Sequence, residues 1–217
     1  MLTQEKSKRS EGFRAVLSEI KELKTNNETY PLPHLFSYAH DTRILAANFD
    51  IGSCKVMSSK KAPLWIQTLG NDPNSIPNLS IFKLGDDLRQ DMLILQLMRV
   101  IDNWWLAEGM DLKMRPYKVM SIKDQIGYLE VVKHSDTVES IHKKFGGSAG
   151  AFDKNTIKKY LEANNKDAGL ELAFENFRKS VAGYVLVTYI LGIGDRHTGN
   201  YMVSLGIVNT FFFYKSS

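Results

Sequence analysis

A short polar loop near the end of the chain carries residue types suited to catalysis. Asp195, Arg196, His197 and Asn200 fall within six residues, directly after an apolar stretch predicted to be a buried helix. A carboxylate, an imidazole and an amide oxygen in one loop suit proton transfer together with metal binding. Catalytic groups are often held on such loops by a packed scaffold. The same residues could equally serve as a capping and turn cluster, and their spacing alone does not decide.

A second group surrounds Lys83, which ends a predicted strand. The segment Gly85-Asp86-Asp87-Leu88-Arg89-Gln90-Asp91 follows it, and a helix is predicted to open at Asp86 or Asp87 and run to about residue 108. Asp91 falls one turn into that helix, so Lys83 and Asp91 can meet across the strand–helix junction. Kinases present a cation to nucleotide phosphates in this way. The alternative for Asp86 and Asp87 is simple helix capping.

The third group is a turn between two predicted strands, with the sequence MSSKKAPLW at 57–65. The hydroxyls of Ser58 and Ser59, the turn amides and Lys60 could cradle phosphate oxygens without a glycine-rich loop. A polar hairpin with no ligand accounts for the same residues.

The elements that must position these groups predict an α+β fold. Residues 1–43 are predicted to form a helical connector that packs against an upstream domain. Over 44–132 the chain reads as short strands broken by one long helix, with strands at 54–57, 64–68, 81–83, 117–122 and 128–132. Beyond residue 132 it becomes helical, with helices at 137–144, 156–163 and 170–191.

Composition bounds the class of protein without naming a function. The chain has 217 residues, 43% hydrophobic and 24% charged, typical of a globular domain with a real core. Its net charge of +4 permits weak attraction to anionic lipid or nucleic acid without requiring either. The single cysteine excludes an internal disulfide and favours a reducing compartment. No apolar run is long enough to span a membrane, so any membrane contact is predicted to be peripheral.

Taken together and in this order, the three groups resemble the phosphoinositide 3-kinase family. The matching strings are KVMSSKKAPLW (55–65), IFKLGDDLRQDML (81–93), GYLEVVKHSDTV (127–138) and YILGIGDRHTGN (189–200). GDDLRQD paired with GDRHxxN is specific to phosphoinositide kinases and their large protein-kinase relatives. The serine–serine turn followed by PLW is most similar to the 3-kinases, particularly the receptor-coupled class.

The resemblance implies a role for each matching residue. Asp195 and His197 match the catalytic pair, with His197 the favoured base toward the inositol hydroxyl, and Asn200 matches a magnesium ligand. Lys83 matches the lysine on the α-phosphate of ATP, and Asp91 its orienting acid. The remaining ATP-binding positions are the loop over the phosphates, the walls of the nucleotide pocket and the hinge that holds adenine: Ser58, Ser59 and Lys60; Met57, Trp65 and Tyr117; Glu130 and Val132.

The resemblance also implies a fold and an activity. The fold would be a two-lobed, protein-kinase-like one, with a small antiparallel β-rich lobe and hinge at 44–132 and a partial helical lobe at 133–203. The activity would be phosphorylation of the inositol 3-hydroxyl of phosphatidylinositol lipids, using ATP and Mg²⁺. The protein would be cytoplasmic and recruited to membranes, would not bind nucleic acid, and could take a regulatory subunit through further domains. The alternatives are a 4-kinase, a giant protein kinase or a catalytically inactive product.

One stretch departs from the family pattern. The family places a magnesium-binding Asp-Phe-Gly about a dozen residues beyond the position of Asn200, and residues 201–214 contain no aspartate. Residues 204–217 are therefore interpreted as an aberrant tail and the chain as a kinase domain truncated before that motif. Because a lost metal carboxylate removes stabilisation of the transition state, little or no kinase activity is predicted for this chain.

Overall fold

The chain folds into two compact units, each built from strands and helices. The computed structural model describes residues 2–26, 36–38, 41–59, 61–70, 72, 74, 76–146, 155–165, 169–194, 197–205 and 211–213. Unit 1 comprises Met1–Met92 and Tyr117–Val131, and unit 2 comprises Leu93–Pro116 and Val132–Ser217. The predicted α+β class is confirmed. The break at Val131 falls beside the predicted boundary at 132, whereas most of the long helix groups with unit 2.

Unit 1 is an antiparallel sheet with one helix packed on it. In chain order its elements are α1 (Leu2–Asn26), β1 (Phe36–Tyr38), β2 (Asp41–Ala46), β3 (Asn48–Phe49), β4 (Lys55–Val56), β5 (Leu64–Leu69), β6 (Asn78–Leu84), the start of α2 (Arg89–Ala107), β7 (Val119–Lys123) and β8 (Ile126–Glu130). The main sheet has the order β3-β5-β6-β8-β7, with β4 also paired to β5, while β1 and β2 form a separate pair. All five predicted strands are present, with shifted ends.

The strand register separates the main sheet of unit 1 into two faces. Side chains alternate along each strand, and cross-strand partners share a face. The pairs Leu64↔Phe82, Ile66↔Ser80 and Phe82↔Tyr128 lie on one face. That face packs on α1 through a core of Leu17, Cys54 and Ile66. The pairs Trp65↔Ile81, Ile81↔Leu129 and Lys83↔Gly127 lie on the other.

Helix α1 also satisfies the backbone of the short strand β4. The Oγ of Ser10 accepts a hydrogen bond from the backbone N–H of Val56 at 3.2 Å. The Nε of Arg14 donates to the carbonyl of Cys54 at 2.9 Å. Because a strand edge leaves unpaired polar groups, these two side chains supply partners to one backbone group of β4 and one of the residue before it. The segment predicted to be a connector therefore packs, in part, on the sheet of its own chain.

Unit 2 combines the rest of α2 with three further helices and a small sheet. Its elements are β9 (Ser135–Thr137), α3 (Val138–Phe145), α4 (Thr156–Asn164), α5 (Leu170–Ile190), β10 (Tyr201–Ser204) and β11 (Phe211–Phe213). The core consists of Ile141, Tyr160, Leu161 and Val203, with Phe174 and Phe177 of α5 against it. The three predicted helices are confirmed.

The last described segment takes part in the small sheet of unit 2. The sheet has the order β11-β10-β9, and Tyr201 pairs with Phe213 and Val203 with Phe211 in antiparallel register. The stretch interpreted as an aberrant tail thus supplies a strand beside β10. Whether that stretch is foreign to the rest of the domain stays a prediction.

Candidate functional site

Lys83 is a buried cation on the sheet of unit 1. It lies near the end of β6, on the face opposite α1, and is only 5% exposed. Its cross-strand partner is Gly127, where an added Cβ would lie 2.4 Å from the carbonyl of Met120. A side chain therefore does not fit at 127. Trp65, two positions away through the Trp65↔Ile81 pair, shares this face, so two of the predicted nucleotide-binding residues lie on one surface of the sheet.

The ammonium of Lys83 forms an ion pair with Asp86. Its Nζ lies 3.5 Å from Oδ2 of the buried Asp86 carboxylate. The Nζ of Lys61 donates to the other oxygen of that carboxylate and, at 2.8 Å, to the carbonyl of Gly85. Gly85 has φ +90°, a conformation that glycine adopts without strain, and it turns the chain directly after β6. One carboxylate thus holds two lysines, and we call Lys61, Lys83 and Asp86 the lysine–aspartate cluster.

Burial makes the charge on Lys83 costly. Desolvation lowers the pKa of Lys83 below 10.5, and this effect outweighs the opposing influence of Asp86 and Asp91. A cation stripped of water binds phosphate oxygens more strongly than a hydrated one, since charges interact more strongly at low dielectric constant. The environment of Lys83 thus suits an anionic ligand.

Asp86 and Asp87 have different partners, although the sequence allowed either of them to cap the helix. Asp87 accepts a hydrogen bond from the backbone N–H of Arg89, the first residue of α2, at 3.1 Å. Its side chain also pairs with the Arg89 guanidinium, which lowers the pKa of Asp87 to about 2. Asp87 is therefore the aspartate that satisfies a free N–H group at the start of α2, which begins at Arg89. The predicted partner of Lys83, Asp91, acts on it electrostatically, and Asp86 supplies the ion pair.

The predicted phosphate loop is a tight hairpin between β4 and β5. The N–H of Met57 donates to the carbonyl of Pro63 at 2.8 Å, and the N–H of Ala62 to that of Ser59 at 3.0 Å. Ser58 and Ser59 are exposed at its tip. Lys60 lies outside the described residues. Sequence analysis missed Lys61, and no pattern in the sequence separates it from its neighbour.

The remaining predicted pocket residues of unit 1 are buried or half-buried. Tyr117 is 4% exposed, and Trp65 and Met57 are half-buried. The ammonium of Lys55 lies 5.4 Å from the centroid of the Trp65 ring, within range of a cation–π interaction.

The predicted hinge residues fall on both sides of the division between the units. Glu130 ends β8, and its carboxylate accepts a hydrogen bond from the N–H of Lys118 at 2.9 Å while its own N–H donates to the Lys118 carbonyl. The side chain of Glu130 thus fastens β8 to the segment before β7. Val132 begins unit 2, where its carbonyl accepts from the Ser135 hydroxyl at 2.6 Å. The contact of these residues with adenine stays a prediction.

In unit 2 the predicted catalytic loop, residues 195–200, follows α5, which ends in a glycine cap. The N–H of Ile193 donates to the carbonyl of Thr188, and that of Gly192 to Tyr189, the two bonds of a Schellman motif. Gly192 has φ +60°, as this motif requires. His197 is exposed, and its carbonyl accepts a hydrogen bond from the N–H of Asn200, which is fully buried. Asp195 and Arg196 lie outside the described residues.

Helix α3 holds the loop in place. The N–H of Glu139, in the first turn of α3, donates to the carbonyl of Thr198 at 3.0 Å. The Thr137 hydroxyl caps the same helix by accepting from the N–H of Ser140. The hydrogen bond and the charge of Lys143 lower the pKa of the Glu139 carboxyl. At the N-terminus of α3, the N–H of Ser140 thus donates to the helix cap, and the N–H of Glu139 donates to the loop that carries His197.

Asn200, the predicted ligand of a magnesium ion, lies among the described residues. No three His, Cys, Asp or Glu side chains come together there in a way that could hold an ion. Asn200 offers one amide oxygen, whereas Mg²⁺ in kinase sites takes one or two carboxylates together with the phosphates of the substrate. The donors in the described part of the chain do not fit a magnesium ion held by the protein alone, and no chemical step is assigned to a metal.

The predicted site residues therefore form two groups. Lys83, Asp91, Trp65, Tyr117 and the 57–59 hairpin belong to unit 1. His197, Asn200 and Val132 belong to unit 2. The convergence of both groups on one nucleotide stays a prediction.

A buried strand lysine with a paired carboxylate, and a polar loop after a long helix, are the parts of a kinase-like domain, and comparison with known proteins gives the family. The family model for phosphatidylinositol 3- and 4-kinases matches residues 79–210. The chain belongs to this family. Phosphatidylinositol 3-kinase 2 of Dictyostelium discoideum is 43% identical over 173 residues, 79% of this chain. Phosphatidylinositol 3-kinase 1 of the same organism is 42% identical over 181 residues, 82% of the chain, and phosphatidylinositol 3-kinase 3 is 38% identical over 179 residues, also 82%.

These relatives are much longer than the chain. The matched region covers 9% of phosphatidylinositol 3-kinase 2, 12% of phosphatidylinositol 3-kinase 1 and 10% of phosphatidylinositol 3-kinase 3. The family match includes Lys83, Asp91 and the loop from Asp195 to Asn200. Among the described residues, no helix is both long enough and apolar enough to cross a membrane.

Proposed function

We propose that the protein binds ATP and takes part in transferring its γ-phosphoryl group to the 3-hydroxyl of phosphatidylinositol lipids at a membrane surface. The observation that carries this proposal is the lysine–aspartate cluster, in which a nearly dry ammonium is held on the face of the sheet opposite α1. Burying a charged ammonium on folding costs free energy, and the buried charge suits a polyanionic ligand. Membership of the phosphatidylinositol 3- and 4-kinase family supports a nucleotide as that ligand.

In this proposal the two units divide the work. Lys83 neutralises the nucleotide phosphates, and the 57–59 hairpin, with Lys60, covers them. Tyr117, Trp65, Met57 and the backbone of Glu130 and Val132 hold the adenine end. The inositol oxygen forms a bond to the γ-phosphorus as the bond from that phosphorus to the bridging oxygen breaks, and ADP leaves.

Because phosphoryl transfer depends mainly on positioning and charge neutralisation, the chain needs few reactive groups. Asp195 and His197 are the residues proposed for the hydroxyl of the lipid. Asn200 would offer its amide oxygen to a Mg²⁺ ion bound together with ATP, and that ion would neutralise charge on the phosphates.

The lipid substrate and the 3-position rest on the relatives. All three relatives are named as phosphatidylinositol 3-kinases, at 38–43% identity. Peripheral contact with the membrane and a regulatory subunit are part of the same proposal, and both would depend on the whole protein.

Nucleotide binding can be tested on the chain with an ATP analogue that acylates lysines. We expect it to modify Lys83, with labelling suppressed by excess ATP and absent in Lys83→Arg, since the longer guanidinium is not a nucleophile. Lys118→Arg, a change at a lysine with no proposed role, should label normally. Peptide mapping that finds modification spread over surface lysines, unaffected by ATP, would refute nucleotide binding.

The lipid substrate can be tested in a chimera. Residues 55–203 would replace the matching segment of Dictyostelium phosphatidylinositol 3-kinase 2, which supplies the rest of the protein. We expect the chimera to produce the 3-phosphate from phosphatidylinositol vesicles and its Lys83→Arg form to lose at least about a hundredfold in rate. If the chimera adds phosphate at the 4-position of the inositol ring, residues 55–203 belong to a 4-kinase instead. A chimera that folds and binds ATP but forms no phosphoinositide would contradict the substrate assignment.

A further inference from the structure

The backbone of the catalytic loop is hydrogen-bonded to the ring of His197. The N–H of Gly199 donates to Nδ1 of His197, with 3.1 Å between the two nitrogens. A backbone N–H can only donate, so Nδ1 must offer its lone pair and carry no proton. In a neutral imidazole the single proton then resides on Nε2.

This assignment bears directly on which chemistry the residue can perform. A neutral ring protonated at Nε2 has no lone pair there. Its one lone pair, on Nδ1, already accepts from Gly199. The ring could take a proton only by giving up that hydrogen bond. The proton on Nε2, in contrast, is oriented for donation.

We propose that Gly199 fixes His197 in the tautomer protonated at Nε2, so that His197 acts as a hydrogen-bond donor and not as the base suggested by the family resemblance. The inference rests on the proposed function for its chemical meaning. A donor at this position stabilises negative charge that develops on a phosphoryl or inositol oxygen during transfer. The proton of the hydroxyl then passes to the carboxylate of Asp195, the other residue proposed for the hydroxyl of the lipid.

Glycine at position 199 leaves room for the ring of His197 in this arrangement. A Cβ built on Gly199 would lie 3.0 Å from both Cε1 and Nδ1 of His197, and 3.1 Å from Oε2 of Glu139. Real Cβ atoms seldom approach other atoms so closely. A side chain at 199 would therefore displace the imidazole by a few tenths of an ångström and weaken the hydrogen bond that it accepts from the backbone.

Glu139 fixes the other side of the same loop. Its N–H holds the carbonyl of Thr198, and its carboxylate is tethered by an ion pair to Lys143 at 2.5 Å. The loop therefore cannot move away from the imidazole without breaking the bond to α3. Gly199 is a positioning residue, which acts through the orientation of the ring of His197, and Glu139 anchors the neighbouring residue Thr198 to α3.

The tautomer can be read by NMR in the full chain, without nucleotide or lipid. The protein would carry ¹⁵N in glycine and histidine, at alkaline pH where an ordinary histidine is neutral. The ring signals of His197 are assigned by their absence in His197→Gln. We expect Nε2 to show the shift of a protonated nitrogen, Nδ1 that of an unprotonated one, and a through-bond coupling between the nitrogens of Gly199 and Nδ1. A proton on Nδ1 would overturn the proposal.

Two glycine variants test whether Gly199 sets the tautomer. Gly199→Ala should weaken the coupling and shift the two ring signals toward each other, as both tautomers become populated. Gly194→Ala is the matched control, because a Cβ at 194 in the same loop meets nothing within 4 Å. It should leave coupling and tautomer as in the wild type. An unchanged tautomer in Gly199→Ala would refute the role of Gly199.

The measurement of the His197 tautomer does not depend on whether the protein binds nucleotide. Failure of the ATP analogue to label Lys83 would refute nucleotide binding and leave the tautomer as measured. If Gly199→Ala does not fold, the coupling and the ring shifts of the wild-type chain still decide the proposal.

Discussion

Nζ of Lys83 lies 3.5 Å from Oδ2 of Asp86, and both side chains are only 6% exposed. Taking two charges out of water costs free energy that their attraction returns only in part. The lowered pKa of Lys83 indicates that burial dominates at this lysine. A side chain kept charged at such a cost serves function more than stability, so substitutions at Lys83 should affect the two in opposite directions.

The first prediction concerns Lys83→Met, which removes the charge and keeps much of the volume. Lys61 still pairs with Asp86, so the carboxylate is not left alone. We expect the melting temperature to rise by about 2–4 °C, corresponding to about 1 kcal/mol in a chain of this size. Labelling by the ATP analogue should disappear at the same time.

Thermal unfolding followed by circular dichroism measures the change. Lys123→Met, at an exposed lysine in β7, is the control and should shift the melting temperature by less than about 1 °C. A fall of several degrees in Lys83→Met would mean that the cluster stabilises the fold, contrary to this prediction.

The second prediction is a pH dependence that follows from the same lysine. Because the pKa of Lys83 in the folded state lies below 10.5, the cost of its charge is fully present below the folded pKa. As the pH rises from that value toward 10.5, the folded protein releases the proton first and the cost fades. The unfolding free energy of the wild type should therefore approach that of Lys83→Met. Urea unfolding of both proteins at several pH values between about 7 and 10 tests this, and a gap that widens with pH would contradict it.

Sequence reasoning succeeded where a residue's role depends on local pattern. The apolar alternation around Lys83 placed it on a strand, and the aspartates after it marked the start of α2. The sequence did not show which aspartate bonds to the first N–H group of α2, because that depends on how Gly85 turns the chain after β6. For the same reason the lysine that contacts Asp86 was unpredictable. The choice is set by a hairpin in which Ala62 adopts φ +47°.

The loop of unit 2 shows the same division between pattern and geometry. The run of polar residues after an apolar helix identified His197 and Asn200 as candidates. Which ring nitrogen of His197 carries the proton depends on the position of one backbone N–H, which no residue type reveals. The packing of α1 on β4 was likewise hidden, since the amphipathic stretch around Phe13 and Leu17 does not say which surface it covers.

The third prediction concerns the glycine cap that ends α5. Gly192→Ala places a side chain at φ +60°, where the strain of the left-handed conformation costs about 1 kcal/mol. No atom lies within 4 Å of the added Cβ, so strain alone is tested. Chemical denaturation should show this loss, and amide shifts of Thr198 and Gly199 should move as the loop adjusts. Gly194→Ala, where a Cβ also meets open space, should leave the stability within about 0.5 kcal/mol of the wild type. Equal losses in both variants would show that the Schellman geometry is not what the loop requires.

The last prediction tests whether α1 is part of unit 1 or merely lies on it. Ser10→Ala removes the only atom of Ser10 that can accept the hydrogen bond from the N–H of Val56, a residue that is 6% exposed. Because a buried donor left without its acceptor costs about 1–3 kcal/mol, we expect a loss of that order in the unfolding free energy. The amide of Val56 should also exchange with deuterated solvent at least about tenfold faster. Ser7→Ala is the matched control in the same helix, since the Ser7 hydroxyl donates to the exposed side chain of Glu11, one turn along α1. That variant should change neither quantity measurably. If Ser10→Ala also leaves both unchanged, the first helix does not supply a partner to the backbone of β4, and unit 1 must be redefined without it.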